Sequence, residues 1–364
     1  MANMNIRQPR FYIDYIQYLL SRGVSQDGEF DVTATGGSGV SAFRGIQTGT
    51  EAELFDGRPL NLVSFDTSGD TDSQVLVTLD MQSANPKQSF VAILNHNLNS
   101  SDGKIRISAG NEASDVTAVD AGNADTSDVS WGSQNVTEIV NADTITASSD
   151  NKSVVIQPAT DGSTIFTFDE QDLRYWGIQF EGAGVGTGAA TDDTWSGSTD
   201  FTVGQILIGE YFDMRSPDMS VKRSIMFDQV TIQQSIGGQR FANMTSHGRT
   251  GSSTSKSPFT TSSSNRHLYG GRLAYDMNFS YLASTDLMPD EYHIKDFDDD
   301  AVVEDIWNLT NGSMLPFIFS IDKDSTGANS ESEHIYARFA QNSLDTSQVA
   351  LDTFNVSMRL EEEM

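Results

Sequence analysis

Apolar residues recur along this chain with a period of two. Gln74–Asp80 (QVLVTLD), Lys104–Ser108 (KIRIS), Thr164–Phe168 (TIFTF), Tyr175–Phe180 (YWGIQF), Val203–Ile208 (VGQILI) and Phe227–Ile232 (FDQVTI) each alternate or run short and apolar between polar clusters. That rhythm predicts short β-strands joined by Gly/Asn/Asp/Ser turns, the signature of a sandwich or barrel. Ser89–Leu94 (SFVAIL) is a continuous apolar run. Phe90, Ala92 and Leu94 are expected on one face of its strand and Val91 and Ile93 on the other, which makes it a central strand buried on both sides.

Helix is scarce in this pattern. The best candidate spans about 299–311, where Val302, Ile306 and Leu309 share one face, Asp298, Asp299 and Asp300 (with Asp296 nearby) suit the N-terminus, and Asn311-Gly312 stops it. Residues 13–20 fit a helix or a strand equally. Residues 111–153, 181–200 and 246–265 are rich in Ser, Thr, Asp, Asn, Ala or Gly. They have little to bury and read as long surface loops, ordered by a partner or by nothing.

A Ser-Pro turn at Arg215-Ser216-Pro217-Asp218 separates two strand series. The expected organisation is an N-terminal arm or extra strand set at 1–44, with a Gly-rich hinge at 35–39, then a first β domain at 45–215 and a second at 216–364. The order of strands 75–80, 90–98 and 104–108, followed far downstream by Leu173–Phe180 (LRYWGIQF) and Gly204–Gly209 (GQILIG), resembles the galactose-binding-like, discoidin-type jelly roll. The run Ile93–Leu98 (ILNHNL) also resembles a "GHNL" signature of phage tail-associated proteins, with Asn95 in place of the glycine. In the second domain the helix near 299–311 runs into Pro316–Phe319 (PFIF), His334–Phe339 (HIYARF) and a last strand, Phe354–Glu362. This order resembles the tail-tube-like domains of tailed phages, a plan shared by distal tail and tail-completion proteins. That likeness implies a β-barrel or sandwich with one packed helix, to which 227–232 and 273–281 would add strands.

Composition changes the picture in two ways. Cysteine is absent, which excludes a disulfide scaffold, a thiol nucleophile and a Cys-ligated zinc. Lys and Arg number 22 against 51 Asp and Glu, a formal charge of −29. Such a chain repels nucleic acid and anionic membranes, so specific binding to either is not expected. The acidity reads either as a solvated, salt-tolerant surface or as a wall that a polyanion passes without sticking. The N-terminal apolar patch is broken by Asp14 and Gln17, so no signal peptide is expected, and no apolar run approaches the ~20 residues of a membrane helix.

No catalytic or cofactor motif stands out: there is no G-x-S-x-G, P-loop, Rossmann glycine pattern or H-E-x-x-H, and the five histidines lie outside any motif. Asp322, Asp324, Thr326 and Glu333 are spaced almost as in a calcium loop. The other reading of these four is a polar hairpin loop. His96 and Asn97, at a strand end, are either partner or glycan contacts or turn formers, and Trp176 either stacks on a sugar or packs in the core. The phage resemblance implies a structural virion protein without catalysis: a baseplate or distal tail adaptor made in the host cytoplasm. It would form a hexameric, or else trimeric, ring with itself and with neighbouring tail proteins, through which DNA slides unbound. The competing reading is a carbohydrate-binding adhesin that contacts a host glycan.

Overall fold

The computed structural model describes residues 8–33, 45–69, 74–82, 87–117, 128–183, 194–226, 230–244, 258–260, 272–289, 301–325 and 330–363. The protein is mainly β, and every strand pairing among these residues is antiparallel. The largest sheet has eleven strands. Its path runs Lys222–Met226, Arg272–Ala283, Thr353–Glu362, His334–Phe339, Phe317–Ser320, Arg10–Asp14, Gln205–Asp213, Gln88–His96, Gly162–Gln171 and Thr137–Val140, and Thr346–Ala350 pairs onto Thr353–Glu362. A six-stranded sheet is ordered Phe30–Thr33, Gln74–Asp80, Tyr175–Gly182, Gly103–Gly110, Val154–Gln157 and Thr144–Ala147.

These two sheets form a sandwich over part of their area. Val91, Ile93, Ile206 and Ile208 of the large sheet share one core with Val77, Ile107, Ile178 and Phe180 of the six-stranded sheet. Phe168 and Trp176 meet across the layers at 5.4 Å between ring centroids. The central strand behaves as its sequence requires. Phe90, Ala92 and Leu94 face a second core with Tyr12, Ile165, Leu207 and Tyr336, and all five residues 90–94 are buried. Phe259, in the turn Pro258–Thr260, closes part of that second core.

The segment expected as an arm or extra strand set supplies strands to both sheets. Arg10–Asp14 lies between Gln205–Asp213 and Phe317–Ser320, so the large sheet runs across the expected boundary near 215. The alternation of RFYID explains this position: Phe11 and Ile13 enter one core and Tyr12 the other. The chain then turns into the short helix Tyr15–Ser21, with Asp14 as its N-cap accepting from the Ile16 amide at 3.1 Å. Strand and helix thus divide the ambiguous stretch 13–20 between them. Gly209, opposite Asp14, lets the two strands approach, because a Cβ there would collide with the Ile13 carbonyl oxygen.

The expected second-domain helix appears as a π-type segment, Val302–Asn308. Val302, Ile306 and Leu309 are buried as their spacing requires, and Asn311 and Gly312 take the left-handed conformation that ends it (φ +49° and +65°). Asp296, Asp298, Asp299 and Asp300 lie outside the described residues, and at the described start Asp305 Oδ2 accepts from the Ala301 amide at 2.7 Å. Two expectations are corrected. Residues 111–153 carry the strands Thr137–Val140 and Thr144–Ala147, because Ile139, Val140 and Ile145 give the polar stretch enough to pair and bury. The strand expected at 227–232 is observed at Val230–Gln234 outside the large sheet, with 227–229 outside the described residues.

Candidate functional site

His96 ends its strand with the ring buried. Its Nε2 lies 2.9 Å from Thr164 Oγ1 and its Nδ1 accepts from the Leu98 amide at 3.2 Å. Burial pulls its pKa down to about 3, so the ring is neutral and structural. Trp176 is buried against Trp131 and Phe168 and donates its indole N–H to the Leu173 carbonyl at 3.2 Å. Both rings are buried, which matches the turn-former reading of His96 and the core reading of Trp176. Asn97 works as a clasp. Its amide donates to the Asp200 carbonyl at 2.8 Å and its Oδ1 accepts from the Thr202 amide at 2.7 Å, tying the turn to the strand Phe201–Val203.

The calcium-loop spacing does not converge. Thr326 lies outside the described residues. The Glu333 carboxylate accepts from the Ser325 hydroxyl, Asp322 Oδ1 accepts from the Asp324 amide at 3.2 Å, and Lys323 Nζ sits 3.4 Å from Asp324. Among the described residues no cluster of three or more His, Asp or Glu side chains could hold a metal. The polar-loop reading fits this geometry, because local donors occupy the carboxylates.

Buried charge is concentrated where it stabilises strands. Glu181 is fully buried on the six-stranded sheet and receives Arg106 Nη2 at 2.8 Å, Lys104 Nζ at 3.3 Å and Gln179 Nε2 at 2.9 Å. Arg10 forks onto Asp213 at 2.5 and 2.9 Å and stacks over the Tyr211 ring at 4.0 Å. Asp213 also lines a cleft of about 340 Å³ with Phe212, Met214, Leu282 and Asp286. Both described carboxylates of the cleft are ion-paired, Asp213 with Arg10 and Asp286 with Arg215 at 2.7 Å.

The feature without a partner lies elsewhere. Val230–Gln234 and Arg240–Met244 form a two-stranded hairpin that pairs with no other described strand. The turn Ser235–Gln239 closes it, with Gly238 at φ +85°. Residues 230–243 are exposed throughout, including Ile232 at 61%, Phe241 at 56% and Ile236 at the tip. An isolated hairpin is marginally stable in water, and this one holds its apolar side chains in solvent. The signal was present in the sequence. VTIQQ and RFANM flank SIGGQ, and Gly-Gly between alternating runs marks a hairpin turn. Reading 227–232 as a barrel strand hid it.

No protein-family model matches the chain, and no curated protein matches it in sequence. Among solved structures, a crystal structure of chitosan-binding module 1 derived from a chitosanase/glucanase of Paenibacillus sp. IK-5 overlaps 50% of this chain and 96% of its own, at 10% identity and a TM-score of 0.27. A likeness that slight carries no argument about fold or ligand. No helix among the described residues is long and apolar enough to cross a membrane.

Proposed function

We propose that this chain is a structural component of a tailed-phage virion, in the tail or its tip, which assembles with copies of itself into a ring around the DNA channel. The observation that carries this reading is the Val230–Met244 hairpin, whose strands pair with no other described strand and whose Ile232, Ile236 and Phe241 are exposed. A ribbon of this kind is made to be completed by another surface, since unpaired strand edges template further pairing. The charge of −29 supports the same role. A ring wall rich in carboxylates repels the phosphate backbone, so a genome slides through without binding. The role is architectural rather than catalytic, and the ion-paired carboxylates of the Asp213–Asp286 cleft fit it. Negative-stain electron microscopy of the purified chain tests the proposal. Closed rings with a central opening are expected, and a field of single subunits at every concentration would overturn it.

A further inference from the structure

Charge is unevenly distributed along this chain. Residues 219–272 hold seven of the 22 cations and one of the 51 acids. The hairpin within this stretch, 230–244, has no carboxylate, and its only charged residue is Arg240, which has no carboxylate partner among the described residues. Cross-strand register places Val230, Ile232, Ala242 and Arg240 on one face of the ribbon, so that face is apolar along its length and cationic near the turn.

The candidate complement is a groove on the adjoining ladder. A shallow groove of about 350 Å³ is lined by Asp218, Asn278, Ser280, Asp345, Asn355 and Ser357 among others, with no cation among its described lining residues. Asp345 is exposed and has no ionic partner among the described residues. Beside the groove stand exposed apolar residues. Tyr281, whose amide donates to Asn355 Oδ1, is 73% exposed, and Leu351, next to the Ala350–Thr353 pair, is 85% exposed.

The chain reaches the hairpin from one end of a strand pair, and the groove lies at the other end. The strand leading to the hairpin, Lys222–Met226, leaves the ladder at Met226 opposite Arg272. The groove lies at the other end, where the Asp218 amide bonds the Asn278 carbonyl. We infer that the Val230–Met244 hairpin of one subunit docks on the Asp218–Asp345 groove of a second copy, with Arg240 between the two aspartates and Ile232 or Ile236 against Tyr281 and Leu351. A donor surface and a separate acceptor surface allow a head-to-tail contact, which closes into a ring when the rotation between copies permits. This inference rests on the self-assembly reading above and names the surfaces that carry it.

Mass photometry of the full chain, with a thermal melt on each variant to confirm folding, tests the contact. Arg240→Glu and Asp345→Lys are each expected to raise the concentration needed for assembly roughly tenfold or more, because each sets like charges against one another at the contact. The double variant R240E/D345K restores an opposite pair and is expected to recover most of the loss. Ile236→Ser, which keeps every charge, is expected to weaken assembly as well. If the wild-type chain assembles and the single charge variants match it, or the double variant is no better than the weaker single one, this contact is wrong and the assembly reading survives. If the wild-type chain never assembles, both fall.

Discussion

Three buried titratable residues set how the fold responds to pH. His96 and His334 are neutral in their cores, with burial pulling their values down to about 3 and about 4. Once unfolded, both imidazoles regain ordinary basicity, near 6.5. The unfolded chain therefore binds more protons between about pH 3 and 6.5. The contribution of both rings is complete above that window and is lost as the pH falls through it. Asp14 works in the opposite sense. Burial pushes its carboxyl up to about 8 from an ordinary 3.8, so its contribution is complete below about 3.8 and is lost as the pH rises from there through about 8. Urea unfolding between pH 4 and 9 should show stability falling on both sides of neutrality. Asp14→Asn, which keeps the cap, should flatten the alkaline limb and steepen the acid limb, where proton uptake by Asp14 opposes that of the two imidazoles. An unchanged alkaline limb in that variant would place its cause elsewhere. His96 also shows why a strand-end histidine is hard to read from sequence: Thr164, which takes its Nε2, is 68 residues away.

Among elements, the strands were the most legible. The apolar run 89–94 dictated a strand buried on both faces, and the YWGIQF and QILIG runs gave neighbours of the same kind. The placement of Arg10–Asp14 was less legible, because alternation says that a strand has two buried faces but not which strands flank it. Its seat depends on Gly209, whose missing side chain admits the Ile13 carbonyl. Gly209→Val should destabilise the fold by about 1–3 kcal/mol through forced separation of these strands. A melting temperature equal to wild type would show that the approach is not tight. The polar stretch 111–153 was misread for the converse reason. Low apolar content does not preclude strands when an existing sheet supplies the partner edge, as Gly162–Gln171 does for Thr137–Val140. Of the candidate site, the hairpin was readable from its Gly-Gly turn, whereas the groove was not, because its walls come from 218, 278 and 280, 345–347 and 355–357.

In the whole molecule, one sheet passes through both halves of the chain with the Arg10–Asp14 strand at its seam, and the 230–244 hairpin pairs with no other described strand. The body carries most of the acid and the stretch containing the hairpin most of the local excess of base. A strongly acidic subunit resists association through charge repulsion, so contacts between copies must oppose it locally, and a cationic, apolar ribbon does so. Self-assembly is therefore the claim on which the functional account stands. Light-scattering measurement of molar mass across a concentration series tests it most directly. The account predicts a discrete closed multiple of 39.7 kDa, six copies or three, that persists on dilution before dissociating. A mass of 39.7 kDa at every concentration would contradict it.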